Sequence, residues 1–132
     1  MRTEQIGILE EEAFHPTLVP RIKCIELSAP LAVQYEINGD CNQRCLFCYN
    51  VWKGAESRLA TLPPEKRRVV IEKIIGLEVF EVILSGGEPL LIPELCELVK
   101  RLTQENIKTH LITNGTLLTK DLASRLKNAG LD

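Results

Sequence analysis

Hydrophobic positions along the chain alternate between short apolar runs and longer stripes at helical spacing. "IKCIEL" (22–27) and "LAVQYEI" (31–37) are rich in Ile, Val, Leu and Tyr, are divided by Pro30, and read as extended. Pro63 and Pro64 suit the first turn of a helix. Val69, Val70, Ile74 and Leu77 offer that helix an apolar side and leave Glu65, Lys66, Arg67 and Lys73 to water. "VFEVIL" (79–84) has strand length and stops at Gly86-Gly87. Leu95, Leu98, Val99 and Leu102 fall at i, i+3, i+4 and i+7 and predict an amphipathic helix over about 93–105. "IKTHLIT" (107–113) reads as the next strand, ended by Asn114-Gly115. Thr119 is the expected N-cap of a third helix, on which Leu122 and Leu126 share a face and Gly130 takes the C′ place.

Strands alternating with helices of this size predict an α/β fold built from βαβ units on a parallel sheet. The expected strands are 32–37, 79–84 and 108–113, in the order 1-2-3, with helices on one face because the crossovers are right-handed. Residues 1–29 read as an N-terminal extension with a candidate edge strand at 22–27, and 30–132 as the core. The sequence reads as cut at a βα boundary after the third unit, where another strand is due. On that reading the third strand keeps an open edge, and Leu84 and Leu111 are expected to meet water on an uncovered inner face. Self-association through that edge follows. In parallel sheets chemistry gathers at the carboxyl ends of strands. Three unusual loops fall on that rim: the cysteine-bearing segment 39–50, "SGGEP" and "TNGT".

Composition narrows the function. The 132 residues are 45% hydrophobic and 26% charged, with a formal net charge of −2, so no basic field for nucleic acid is present. Glu4, Glu10, Glu11 and Glu12 against Arg2 make a solvated end, not the basic-then-apolar start of a signal peptide. No apolar run approaches the ~20 residues that span a bilayer, so no membrane partner is expected. The default location is cytoplasmic, where thiols stay reduced and five cysteines point to metal or catalysis before disulfides.

"GDCNQRCLFCYN" places Cys41, Cys45 and Cys48 as C-x3-C-x2-C. Thiolates suit zinc or iron–sulfur clusters. A closed zinc site needs a fourth ligand from Cys24, Cys96, His15 or His110, and none stands at knuckle spacing. A cube of four irons held by three cysteines instead keeps one iron open, able to bind a cofactor or substrate through nitrogen and oxygen.

Cys41-x3-Cys45-x-Phe47-Cys48 resembles the cluster motif of the radical S-adenosylmethionine (radical SAM) enzymes. "LSGGEPLL" resembles that family's Gly-Gly-Glu-Pro motif, and "ITNGTLL" its segment after the third strand. The resemblance covers about 30–132, the first half of the family's partial (β/α)6 barrel. It implies a [4Fe-4S] cluster on Cys41, Cys45 and Cys48, with SAM chelating the open iron. Reductive cleavage of SAM to a 5′-deoxyadenosyl radical is the implied chemistry, with no side chain of the chain assigned as catalytic. The implied SAM contacts are Gly86, Gly87 and Glu88 near its amino group, Thr113 and Asn114 at the cavity, and Phe47 near the adenine. Glu88 has two readings, acceptor of an ammonium or fastener of its loop. The motifs together look most like the branch that modifies peptides and builds haem- or quinone-type cofactors. Such a protein takes a small-molecule or peptide substrate and an electron donor. By resemblance it is an enzyme, although half a barrel alone is not expected to reach full activity. The alternative class is a non-catalytic zinc or iron–sulfur binding or interaction module, a remnant of such an enzyme.

Overall fold

The computed structural model describes residues 29–49 and 61–132. The expected edge strand at 22–27, with Cys24 and His15, lies outside the described residues. Along the chain come β1 (Ala32–Asn38), α1 (Pro64–Ile75), β2 (Glu81–Gly86), a 3-10 turn (Pro89–Leu91), α2 (Leu95–Gln104), β3 (Lys108–Leu111) and α3 (Lys120–Asn128). The strands pair in parallel in the order β1-β2-β3, as the βαβ pattern predicts.

Period-two alternation sorts each strand into two faces. Val82 and Leu84 of β2 are fully buried and join Ile37, Ile71, Ile74, Leu98, Val99 and Leu102 in the core beneath the helices. Val33, Tyr35 and Leu111 pack against the same cluster. The expectation that Leu84 and Leu111 meet water is therefore wrong: both lie on the helix-covered side. The opposite face receives the alternate positions, Gln34 and Glu36 from β1, Glu81, Ile83 and Ser85 from β2, and His110 from β3. That face is mostly polar, with Gln34 Nε2 donating to Ser85 Oγ at 3.0 Å and His110 Nε2 lying 3.5 Å from Glu81.

The α1 helix is turned from its expected orientation. Val69 and Leu77 are 50% and 45% exposed, and the buried side is Arg67, Ile71 and Ile74. Arg67, expected in water, is 4% exposed. Its Nε lies 2.8 Å from Glu94 Oε1, and Nη1 donates to the Leu62 carbonyl. An arginine with its charge paired and its stem against apolar neighbours can occupy a core position. Its preference for Glu94, at the head of α2, rotates α1 until the i, i+4, i+7 set faces inward. On the outer surface Arg68 pairs with Glu97, whose carboxyl it holds below the usual range, and Arg101 with Glu72.

The other elements follow their patterns. Leu95, Leu98, Val99 and Leu102 form the buried stripe of α2, where Cys96 is partly buried against the core. Thr119 caps α3, its hydroxyl accepting from Leu122 N–H at 3.1 Å. Gly130, at φ +93°, closes α3 as a Schellman motif with Leu131 N–H donating to the Leu126 carbonyl at 3.1 Å. The backbone then returns to the sheet, where Asp132 N–H donates to the Thr109 carbonyl of β3 at 3.1 Å.

Replacing Arg67 by Ala strands the buried Glu94 carboxyl, and the expected loss of stability is ~3–5 kcal/mol. The double change Arg67→Met, Glu94→Leu removes both charges and is expected to recover most of it. Urea unfolding followed by circular dichroism reads both, and an Arg67→Ala chain as stable as the parent contradicts the assignment.

Candidate cofactor site at the strand ends

The strand ends are joined by backbone before any side chain acts. Past the end of β1, the Asn38 carbonyl accepts from Gly87 N–H at 2.9 Å and the Asp40 carbonyl from Glu88 N–H at 2.7 Å. The Gly-Gly-Glu segment thus continues the β1–β2 ladder onto the root of the cysteine segment. Only glycine fits there. A Cβ on Gly87 would stand 2.0 Å from the Asp40 carbonyl oxygen, and one on Gly86 (φ +124°) 2.3 Å from that of Asn38. The close approach expected of these glycines is made to the cysteine segment's own backbone.

Glu88 ties this pair to the third strand end. It is fully buried. Its Oε1 accepts from Leu90 N–H at 2.9 Å and from the Thr113 hydroxyl at 2.6 Å. Its Oε2 accepts from Asn114 N–H at 2.8 Å. Of the two readings for Glu88, this geometry supplies the loop-fastening one. The Asn38 amide adds a further tie, Nδ2 donating to the Glu88 carbonyl at 3.0 Å and to the Asp40 carbonyl at 3.2 Å.

Asn114 carries the network to the first cysteine. Its Nδ2 donates to Asn42 Oδ1 at 2.9 Å and lies 3.9 Å from Cys41 Sγ. Its Oδ1 accepts from Thr116 N–H at 2.9 Å, and Asn42 Nδ2 donates to Thr116 Oγ1 at 2.8 Å. Gln43 N–H also points at Cys41 Sγ, at 3.4 Å. Cys48 N–H reaches the Cys45 carbonyl at 3.3 Å, one turn that brings the second and third cysteines near each other in the chain.

Gly86, Gly87, Glu88, Thr113, Asn114 and Cys41 therefore belong to one connected rim. Phe47 is not drawn into it: at 93% exposed, beside Leu46 at 89%, it stands in solvent. Cys41 and Cys48 are half-buried and Cys45 is exposed. Among the described residues no three His, Cys, Asp or Glu side chains are grouped as a metal site. Among the described residues the rim's hydrogen bonds reach Cys41 Sγ, while Cys45 Sγ lies 3.6 Å from Gln43 Oε1. The donor set fits an iron–sulfur cluster: soft thiolates on one short accessible segment, with N–H donors aimed at the Cys41 sulfur, a known lever on cluster potential. It fits zinc less well. Cys96 packs against the core, and His110 pairs with Glu81 on the sheet face.

Sequence reasoning missed Asn38, Asp40, Asn42, Thr61 and Thr116. Thr61 Oγ1 donates to Asp40 Oδ2 at 2.6 Å. The available signal was position, since Asn38, Asp40 and Asn42 crowd around Cys41 where a strand ends, and short polar side chains there serve backbone groups.

Comparison with known proteins places this rim. The sequence model of the radical SAM superfamily matches residues 35–132. A probable GTP 3',8-cyclase of Methanocaldococcus jannaschii is 30% identical over 102 residues, 76% of this chain and 34% of that protein. A PqqA peptide cyclase of Bradyrhizobium diazoefficiens is 37% identical over 102 residues, 77% of this chain and 27% of that protein. Among solved structures, BtrN in complex with AdoMet and 2-DOIA superposes with a TM-score of 0.64 at 26% identity, covering 76% of this chain and 42% of that one. The chain thus spans about a third or less of the length of these curated relatives. With its rim motifs joined at three successive strand ends of a parallel sheet, the chain belongs to the radical SAM superfamily, whose cofactors are a [4Fe-4S] cluster and S-adenosylmethionine.

Proposed function

We propose that this chain is the cluster-bearing portion of a radical SAM enzyme of peptide or cofactor maturation, with Cys41, Cys45 and Cys48 as the three protein ligands. The observation that carries the reading is the run of bonds from Glu88 through Asn114 to the neighbourhood of Cys41 Sγ, which unites three motifs distant in sequence. When bound, the cluster and SAM supply one-electron reductive cleavage of the sulfonium, fed by an external electron donor.

The chain's residues hold and orient. Gly86 and Gly87 let their backbone lie against the root of the cysteine segment, which sets the rim beside which the methionine end of SAM would be held. Glu88 acts as a positioning residue, fixing Thr113 and Asn114. Asn114 presents its amide beside the cluster ligand, and Phe47 remains available to cover the adenine. The polar sheet face with Gln34, Glu36 and His110 suits a substrate rich in hydrogen-bonding groups, as a peptide or a nucleotide is. The cyclases of similar sequence, named for the PqqA peptide and for GTP, support that class.

Anaerobic reconstitution with iron and sulfide tests the ligand set. A brown protein that bleaches with dithionite is expected, and each of Cys41→Ala, Cys45→Ala and Cys48→Ala should lose the charge-transfer band. Cys24→Ala and Cys96→Ala should keep it, and loss in either would break the three-ligand assignment. A colourless, zinc-loaded chain would overturn the function itself.

Glu88→Gln turns one acceptor into a donor opposite the groups that now donate to it. The expected cost is ~1–3 kcal/mol of stability with weakened SAM binding, while the cluster stays because its ligands lie elsewhere. Calorimetric titration with SAM beside the charge-transfer absorbance separates the two effects, and unchanged SAM affinity would remove Glu88 from this role.

Among the described residues the outer edge of β3 is met only by Asp132 N–H at the Thr109 carbonyl, and the rest of it is a template for another strand, so the isolated chain is expected to self-associate and to yield little 5′-deoxyadenosine with SAM and dithionite. Light scattering and product chromatography check both. A monomer cleaving SAM as fast as a full-length relative would contradict the portion reading.

A further inference from the structure

The side chains of Asn114, Asn42 and Thr116 close a ring of hydrogen bonds that all run one way. Asn114 Nδ2 donates to Asn42 Oδ1 at 2.9 Å, Asn42 Nδ2 to Thr116 Oγ1 at 2.8 Å, and Thr116 Oγ1 to Asn114 Oδ1 at 2.6 Å. The backbone fixes the direction. Thr116 N–H, which can only donate, lies 2.9 Å from Asn114 Oδ1, so the amide cannot be turned end for end. Asn114 N–H is held in turn by the buried Glu88 carboxyl at 2.8 Å. One hydrogen of Asn114 Nδ2 is thus committed to Asn42, and the other is left for Cys41 Sγ at 3.9 Å. Gln43 N–H meets the same sulfur at 3.4 Å.

We propose that the Asn114 side-chain amide raises the reduction potential of the cluster by donating to the Cys41 sulfur. The inference rests on the cluster assignment above, in which that sulfur is an iron-bound thiolate. One electron from the external donor adds negative charge that spreads onto the sulfurs, and no bond forms or breaks. An N–H dipole with its positive end toward a sulfur stabilises the reduced form more than the oxidised one, so the amide eases reduction. The ring gives this dipole its value, because a dipole already aimed needs no reorganisation when the charge arrives. The loop after β3 thereby acts on the first cysteine through one neutral side chain, without supplying a ligand.

Wild type and Asn114→Leu are compared after anaerobic reconstitution without SAM, so that a lost SAM contact does not enter. The midpoint of the cluster is read by electron paramagnetic resonance at poised potentials, beside iron and sulfide per chain. Far-ultraviolet circular dichroism reports the fold. Leucine keeps the size of asparagine and removes both donor hydrogens. The expected result is a midpoint shifted negative in Asn114→Leu, with the ratio of reduced to oxidised cluster at a fixed potential falling roughly threefold. Iron, sulfide and dichroism are expected to stay unchanged. A midpoint equal to that of wild type, or shifted positive, overturns the proposal and leaves the cluster assignment standing. So does an Asn114→Leu chain that folds but holds no cluster, because Asn114 is then a structural residue of its loop. A wild-type chain that takes up no cluster overturns the proposed function and this inference together. Should Asn114→Leu fail to fold, wild type carrying nitrogen-15 in its asparagine side-chain amides takes its place. A nitrogen-15 coupling in the pulsed paramagnetic resonance of the reduced cluster is then expected, and its absence overturns the proposal.

Discussion

A carboxyl group taken wholly out of water must find its hydrogen bonds inside, and Glu88 finds three. Everything at the rim is arranged around that requirement. Leu90 N–H comes from the turn that follows Glu88, and the Thr113 hydroxyl and Asn114 N–H come from the next strand end. The donors lie on two segments, so satisfying one buried group fixes their separation. The backbone N–H of Glu88 is committed as well, to the Asp40 carbonyl. One residue therefore locates the end of β1, the Gly-Gly turn and the loop after β3 relative to each other. The glycines serve the same constraint, because any Cβ at Gly87 would push the cysteine root away from Glu88.

Burial in the site falls off from that group to the Leu46–Phe47 turn. Asn38 and Glu88 are buried, Thr113 is half-buried, and the turn at Leu46 and Phe47 is almost entirely in water. The gradient separates two kinds of stabilisation. The rim is held by protein–protein hydrogen bonds and is formed by the chain itself. Cys45 is exposed and Cys48 half-buried, so on the proposed ligand assignment their convergence on Cys41 would depend on the ligand bonds. Where a site's ligands converge only on binding, metal binding and local ordering are one process.

Element types, their order and the parallel sheet were legible in the sequence because each rests on local periodicity and on short connections of fixed hand. Leu95, Leu98, Val99 and Leu102 were read correctly for that reason. The face of α1 was not, since hydrophobicity alone ranks Val69 above Arg67. What decides is a partner 27 residues away, Glu94, whose charge Arg67 neutralises. The strand boundary at Glu81 and the burial of Leu84 show a related limit. Alternation tells that two faces differ, but only the position of the helices tells which is covered. In the site, the three motifs were visible as unusual strings, and their meeting on one rim followed from topology. The route between them was not visible, because it runs through Asn38, Asn42 and Thr116, residues whose roles depend on which backbone groups happen to lie opposite.

The same alternation divides labour along each strand. In β2, Val82 and Leu84 face the helices while Ile83 and Ser85 face the open side, and Gln34 reaches across to Ser85 on that open side. Substituting the first pair removes core volume and is felt as stability. Substituting Gln34, Glu36 or His110 removes no core volume and alters the polar face, where Gln34 bonds Ser85 and His110 lies beside Glu81. In a fold so divided the rim, built from backbone approach and one buried carboxyl, is independent of which side chains stand on the polar face. Its relatives of similar sequence include cyclases named for a peptide and for a nucleotide, in keeping with the general rule that one fold hosts several functions.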